Sequence, residues 1–474
     1  MRENVGKVKR KRVEKTQMNK KRSAFSGKIG YVLSAAGASV GLGNIWRFPY
    51  LAAKYGGGIF LLVYIILALT FGYTMIVAES ALGRMTRKSP VGAFRNFAKG
   101  KKVGWLSFGG WINAIIPVLI VPYYSVIGGW VVKYLFEYIR GNGSKLAEDG
   151  YFSGFISNGG ATEICFVIFC MFTLVIIYAG VQNGIERVSK IMMPILIVLS
   201  VIIAIYSVTR PGAIEGVKYF LVPNVKNFSW MTVVAAMGQM FYSLSIAMGI
   251  LVTFGSYMRK DTSIEDSTRN VEIFDTAIAM MAGLMIIPAV FAFSGGDPDT
   301  LQAGPSLMFI TIPKVFANMG FGTAVGILFF VLVLFAAVTS SIALTESAVS
   351  TFEDELGWGR KKATVLTGVI MIALGTLSCL GYGPLDFVKI IGMQFLDFFD
   401  FLTNSVMMPI AALMTSLLVS RVIGVDKIEE EIRHGESAFR RKKIFVVMIK
   451  YLCPIFALII LASSVANAFG WIAM

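Results

Sequence analysis

From Thr276 to Gly296, and again from Ile191 to Thr209, the chain carries no charged residue. Apolar runs of about 20 residues are the length that crosses a ~30 Å hydrocarbon core at 1.5 Å per residue. Such runs recur at roughly 29–52, 59–83, 105–135, 162–180, 191–209, 230–257, 276–294, 323–350, 363–382, 396–420 and 445–470, which predicts an all-α integral membrane protein with eleven spanning helices. Composition points the same way. Hydrophobic residues make up 56 % of the chain and charged residues 15 %, with mean hydropathy +0.70, against about 25 % charge in ordinary soluble domains.

The 44 Lys and Arg outnumber the 28 Asp and Glu, for a formal charge of +16. In a soluble chain this would suggest a nucleic-acid partner; in a membrane protein it encodes topology, and no nucleic acid is expected. With the N-terminus inside, residues 1–28 and the connections 84–102, 181–190, 257–270, 354–362 and 421–450 hold 34 basic residues. The outer connections hold nine, and Arg47 sits within the first span. The expectation is a multi-pass protein of the plasma (inner) membrane, with a cytoplasmic N-terminus and Met474 on the extracytoplasmic side. The first span follows a basic tail, as a signal peptide's core does. It is too long for one and another span follows at once, so it reads as uncleaved. The tail's role is topology anchor ahead of contact with anionic headgroups.

Enzyme chemistry finds no support. Cys165, Cys170, Cys379 and Cys453 all fall inside predicted spans without metal-ligand spacing, and the single histidine, His434, lies in a charged connection. No G-x-x-x-x-G-K-[ST] stretch is present. The chain is not expected to be an enzyme.

Two spans have weak centres. The first reads Gly37-Ala38-Ser39-Val40-Gly41-Leu42-Gly43-Asn44, and the sixth Gln239-Met240-Phe241-Tyr242-Ser243-Leu244-Ser245-Ile246-Ala247-Met248-Gly249. Glycine weakens a helix by about 1 kcal/mol per position relative to alanine, and polar groups at membrane depth must face protein or a watery cavity. Gly37-x-x-x-Gly41 alone is equally a helix-packing face. Matching interruptions five spans apart decide against that, because an odd-numbered repeat inverts its own topology and places a site at the midplane. The expected organisation is a basic tail 1–28; inverted repeat 29–210, with its first helix broken near 39–43; inverted repeat 211–424, with its first helix broken near 243–247; and a loop plus eleventh helix, 425–474.

Gly41-Leu42-Gly43-Asn44-Ile45-Trp46-Arg47-Phe48-Pro49-Tyr50, followed by Gly56-Gly57-Gly58, is similar to the signature of the neurotransmitter:sodium symporter family. So are Gly184-Ile185-Glu186-Arg187, Thr339-Ser340-Ser341 and Phe352-Glu353-Asp354-Glu355-Leu356. The chain most resembles the eleven-helix bacterial amino-acid members of the tyrosine or multi-hydrophobic type. That resemblance implies the leucine-transporter fold, a 5+5 inverted repeat plus one helix, and sodium-coupled import of a free amino acid by alternating access. A monomer would suffice for transport, and a dimer is compatible with it.

The resemblance also implies the site residues. One sodium site would use Ser39, Asn44, Ser243 and Asp275 with the substrate carboxylate; a second would use Gly37, Val40, Ala336, Thr339 and Ser340. These are hard oxygen donors suited to an alkali cation. Thr339 and Ser340 alone would equally suit back-bonding to the preceding turn. The substrate would contact Ala38, Ser39, Gly41, Leu42, Gly43, Ile120, Tyr124, Tyr242, Ser243, Ser245, Met248, Ser340 and Leu344. Glycine at 41, where amine-carrying relatives have aspartate, leaves room for a substrate carboxylate at a helix start. Met248, where the prototype has phenylalanine, favours a bulky hydrophobic or aromatic side chain over ordinary core filling.

Asp275 replaces the family's usual asparagine, which implies a fixed negative charge in place of chloride, close to Tyr64, Gln239 and Ser243. Arg47 and Asp400 would form an outer gate. Arg22 and Asp354, with Phe25, Ser256 and Tyr257, would form an inner one. Proton coupling would fall to Asp275, Glu79 or Glu346. A non-transporting amino-acid sensor on the same fold is the alternative, and a channel is disfavoured because the polar residues converge on one site.

Overall fold

The structure, a computed structural model, describes residues 22–98, 104–294 and 304–472. Most of the basic tail and Met474 lie outside the described residues. Among those described no β-strand is present; Gly57 with Pro223 and Ile390 with Met393 form isolated bridges.

Nine helices among the described residues are long and apolar enough to cross a membrane whole. They are helix 2 (Gly58–Thr86), helix 3 (Gly104–Ile139), helix 4 (Gly159–Tyr178), helix 5 (Val181–Val208), helix 7 (Ile264–Ser294), helix 8 (Gly322–Leu356), helix 9 (Arg360–Leu380), helix 10 (Phe395–Ile423) and helix 11 (Lys442–Ala468). The two predicted spans missing from that set are the first and the sixth, and both are broken. Helix 1 runs Lys28–Ser39 and resumes as a wide turn, Gly43–Arg47, leading into Phe48–Lys54. Helix 6 runs Trp230–Ser243 and resumes at Ile250–Tyr257.

Helix ends follow local chemistry. Ser229 and Thr232 form a reciprocal capping box at the start of helix 6, and the Asn158 side chain accepts from the Ala161 N–H at the start of helix 4. Helix 7 begins at Ile264, a dozen residues before its predicted apolar run. Glu265, Asp266, Arg269, Glu272 and Asp275 lower the local hydropathy, yet Ile264, Val271 and Ile278 keep one buried helical stripe through them.

Helices 4 and 5 turn apolar faces outward. Ile164, Ile168, Phe172 and Val175 on helix 4, and Ile191, Ile195, Val198, Ile202 and Ile205 on helix 5, are exposed at helical spacing, as a lipid-facing perimeter requires. Helices 3 and 8 pack along each other beside the broken helices. Pro117 and Pro122 within helix 3 are buried among neighbouring helices, the setting in which a spanning helix tolerates proline.

Ion pairs and hydrogen bonds knit one face together. Arg22 pairs with Asp354, Lys28 with Asp266, Arg95 with Glu355, Arg84 with Glu431 and Arg360 with Glu346. This is the entry face, where the described chain begins.

Candidate functional site

Helix 1 stops because Val40 turns out of the helix at φ −75° and ψ 89°, its N–H still bonded to the Ala36 carbonyl at 2.7 Å. The Asn44 side chain then accepts from the Gly41 N–H at 3.3 Å, and the Asn44 N–H donates to the Gly41 carbonyl at 3.1 Å. Leu42 donates its N–H to the Tyr124 hydroxyl at 3.3 Å. Three backbone amides therefore cluster where the second half of helix 1 begins, the end of a helix that favours an anion.

Helix 6 breaks through a run of left-handed residues: Ser245 at φ 53°, Ala247 at 59° and Gly249 at 69°. Such a backbone is strained by roughly 1–3 kcal/mol per non-glycine residue and persists only where neighbours hold it. The Ser245 hydroxyl donates to the Ala38 carbonyl at 3.0 Å, and the Ala247 N–H donates to buried Glu79 at 2.8 Å. Ser245 thus ties the helix 6 break to the end of the first half of helix 1, while Glu79 of helix 2 holds Ala247.

Between the two breaks lies a small cavity. Every residue expected to contact substrate lines it, joined by Asn44 and by Ile250. None of these lining residues is charged. A Cβ on Gly41 would lie 2.7 Å from the Ser340 hydroxyl and 3.2 Å from that of Tyr124, so a side chain here would have to displace Ser340.

On one side of the cavity the polar groups converge on Asp275, which is fully buried. Asn44 and Ser243 donate to one carboxylate oxygen at 2.8 Å each, and Tyr64 donates to the other at 2.7 Å. Gln239 does not join them: its amide donates to the Gly43 carbonyl at 3.0 Å. The Ser39 hydroxyl turns back to the Ala35 carbonyl at 3.2 Å, leaving its own carbonyl for other partners.

On the other side, the Ser340 hydroxyl lies 3.3, 3.2 and 3.4 Å from the carbonyl oxygens of Gly37, Ala38 and Val40. Thr339 donates back to Phe335 at 2.9 Å and lies 3.2 Å from the Ala336 carbonyl. Back-bonding is therefore present at Thr339 only, while the Ser340 hydroxyl reaches across to the end of helix 1.

The two regions expected to act as gates differ. On the entry face, Arg22 meets Asp354 at 2.6 Å and the hydroxyls of Ser350 and Ser256 at 2.7 and 2.9 Å, with its guanidinium 5.0 Å above the Tyr257 ring. Burial disfavours the Arg22 charge, but Tyr257 and Asp354 beside it more than offset this and hold its pKa above the usual value, so it stays charged. The Ser89 N–H donates to the second Asp354 oxygen at 2.6 Å, and Phe25 stands edge-on to Tyr257 at 6.0 Å. On the opposite face, Arg47 and Asp400 form no ion pair. Arg47 sits 5.5 Å above the Tyr242 ring, while Asp400 accepts from Asn404 at 2.6 Å and Tyr123 at 3.2 Å.

Of the groups considered for proton transfer, Glu346 is committed to Arg360 at 2.5 and 3.0 Å and to Tyr257 at 2.7 Å. Reading the sequence missed Ile250, Tyr123 and Asn404. An isoleucine in an apolar span carries no signal, but Asn404, polar and four residues from Asp400, offered one.

The sequence profile of the "Sodium:neurotransmitter symporter family" matches residues 22–144 and 151–470. The chain belongs to this family. The family is one of transporters, and the chain is a sodium-coupled symporter of the membrane. An uncharacterized sodium-dependent transporter, YhdH of Bacillus subtilis, is 36 % identical over 417 residues, covering 87 % of this chain and 91 % of its own. An uncharacterized sodium-dependent transporter of Haemophilus influenzae is 32 % identical over 461 residues, 95 % of this chain and 99 % of its own. The crystal structure of MhsT in complex with L-phenylalanine superposes with a TM-score of 0.83 at 36 % identity, covering 94 % of this symporter and all of MhsT. The symporter therefore has the leucine-transporter fold, with its two broken helices opening the two five-helix repeats and helix 11 appended.

Proposed function

We propose that this symporter imports a free hydrophobic or aromatic L-amino acid together with two sodium ions, without chloride. The observation that carries the reading is the uncharged cavity between the two helix breaks. Its lining of apolar side chains, with a few hydroxyls and main-chain groups among them, suits one such molecule. The amides of Leu42 and Gly43, with the Tyr124 hydroxyl, would receive the carboxylate, and Ser39, Tyr242, Ser243 and Ser245 oxygens the amine. Ile120, Met248, Ile250 and Leu344 would surround the side chain. Apolar walls without a countercharge reject Asp, Glu, Lys and Arg, whose charges would be desolvated unpaired. MhsT with L-phenylalanine bound supports the aromatic preference.

One sodium ion would lie among the Ser39 carbonyl, Asn44, Ser243, Asp275 and the substrate carboxylate. The other would lie among Gly37, Val40, Ala336, Thr339 and Ser340. Asp275 has only donors as partners, the pattern of an ionised, acceptor-only carboxylate, and its charge would take the place of chloride. The entry face is the cytoplasmic one, so Arg22 and Asp354 close the inner gate while Arg47 and Asp400 stand apart at the outer one. Two sodium ions entering with a zwitterion draw about 2.3 kcal/mol per charge per 100 mV. A tenfold gradient adds about 1.4 kcal/mol each. Together they supply roughly 7 kcal/mol, enough for a concentration ratio on the order of 10⁵.

The test is uptake of labelled phenylalanine or tyrosine into proteoliposomes, with and without an inward sodium gradient, against a panel of unlabelled amino acids. Accumulation that needs sodium, survives replacement of chloride by gluconate and is competed best by bulky hydrophobic amino acids is expected. Binding without accumulation would make the protein a sensor. Best competition by glycine or alanine would overturn the substrate class, and loss of uptake in gluconate the role of Asp275.

A further inference from the structure

The Gly184-Ile185-Glu186-Arg187 motif touches neither the cavity nor the gate pair. It forms the wide first turn of helix 5, Val181–Glu186, on the entry face. Glu186 is buried there, and its carboxylate reaches across to the segment that leads into helix 1. One oxygen accepts the Ser26 N–H at 2.9 Å, the other accepts the Ser26 hydroxyl, and Lys190 pairs with the carboxylate at 2.6 Å. The approach is so close that a Cβ on Gly30 would lie 2.3 to 2.9 Å from the carboxyl atoms of Glu186. Around it, Gln182 donates to the Ala24 carbonyl at 2.7 Å, and Arg259 to the Ser26 carbonyl at 3.3 Å. Residues 22–28 are thus a strap, held at one end by the Arg22–Asp354 pair and near the other by Glu186.

We propose that Glu186 is a positioning residue of the inner gate: it pins Ser26 and the first turn of helix 1 to the start of helix 5, and the pin must release before the inner side opens. This rests on the alternating-access reading above. The two restraints are chemically separate. Arg22 and Asp354 join the strap to helix 8, whereas Glu186 joins it to helix 5, so losing either one leaves the other to be broken. Gly30 is what permits the pin, since any side chain there occupies the carboxylate's place. Gly27, three residues away, meets nothing within 4 Å and has extended backbone at φ 173°, so alanine fits there freely.

The experiment uses the full chain in proteoliposomes, with the four native cysteines replaced and Thr253→Cys as reporter. Thr253 is fully buried beside Ser347, one turn inward of Ser256 and the gate. A membrane-impermeant thiol reagent on the cytoplasmic side reads inner opening. Gly30→Ala and Glu186→Ala are expected to label several-fold faster than the parent and to raise the sodium concentration for half-maximal uptake several-fold. Gly27→Ala should match the parent. Glu186→Gln, which keeps an acceptor for Ser26 but loses the charge facing Lys190, should fall between. Ser26→Ala, which removes only the hydroxyl contact, should shift both readouts in the same direction by less, and carries the test if the larger changes prevent folding. If sodium does not slow labelling in the parent, alternating access falls and the pin with it. If it does, and Gly30→Ala or Ser26→Ala behaves as Gly27→Ala in both readouts, the pin alone falls.

Discussion

The Asn44 side-chain amide donates to the Asp275 carboxylate at 2.8 Å, tying the break in helix 1 to the middle of helix 7. This contact sets the charge of helix 7 behind the uncharged cavity wall, since Asn44 lines the cavity and Asp275 stands behind it. A carboxylate buried at this depth is costly unless paired or bound to a cation. Its donors here are neutral, and the sodium ion proposed above would supply the missing countercharge.

Asp275→Asn keeps the shape and removes that charge. The sodium concentration for half-maximal uptake is expected to rise about tenfold or more, about 1.4 kcal/mol of lost attraction. Uptake by the variant should then be raised by chloride, while the parent is indifferent to it. Sodium titrations in chloride and in gluconate check both points. An unchanged sodium requirement would show that Asp275 serves only its hydrogen-bond partners.

Asp354→Ala leaves Arg22 with the hydroxyls of Ser256 and Ser350 and frees the Ser89 N–H. The pair is mostly buried, its side chains 15 % and 14 % exposed, so removing Asp354 leaves the Arg22 charge to hydroxyls and the melting temperature should fall. The inner gate should loosen as well. Labelling of the buried Thr253→Cys reporter from the cytoplasmic side is expected to rise several-fold; an unchanged rate would show that Phe25, Tyr257 and the rest of the strap close the gate without this pair.

How much was legible in advance follows from what costs energy in a membrane. Gly41, Gly43, Ser243 and Ser245 stand out because glycines and hydroxyls at mid-span weaken a helix or need a polar partner. Both breaks and the cavity could be read from them. Ile250 could not, because an apolar residue in an apolar span looks the same whether it faces lipid, core or substrate. The open spacing of Arg47 and Asp400 was equally invisible, since sequence specifies two partners and not which conformation joins them. Least visible was the contact of Arg84 with Glu431, 347 residues apart. Both lie in stretches whose charges suggest solvent, yet Arg84 is fully buried.

That pair carries a stability prediction. Arg84 donates to the Glu431 carboxylate at 2.7 Å, to the Glu431 carbonyl, and to the Thr262 carbonyl at 2.5 Å, while Lys260 meets the same carboxylate at 2.7 Å. Glu431→Ala strands a buried guanidinium without a countercharge, a change that typically costs 3–5 kcal/mol. The melting temperature in detergent should fall by several degrees, with Glu431→Gln between it and the parent. An unchanged melting temperature would show that the backbone carbonyls alone satisfy Arg84.

Gly41→Ala tests the cavity most directly. The added Cβ would stand 2.7 Å from the Ser340 hydroxyl and 3.2 Å from the Tyr124 hydroxyl, the space assigned to the substrate carboxylate. Something must shift there, and neither neighbour is idle: Ser340 lies against the helix 1 carbonyls and Tyr124 accepts from Leu42. Helix 1 is already broken at this point, so alanine threatens neither a regular helix nor a left-handed turn, and folding should survive. Because the change crowds the site itself, the half-saturating amino-acid concentration should rise at least about tenfold, about 1.4 kcal/mol. The effect should be as large for leucine as for phenylalanine, since both present the same carboxylate. Equal losses would place the main-chain end of the substrate at Gly41. A loss confined to the larger side chain would place the side chain there instead and reverse the proposed orientation.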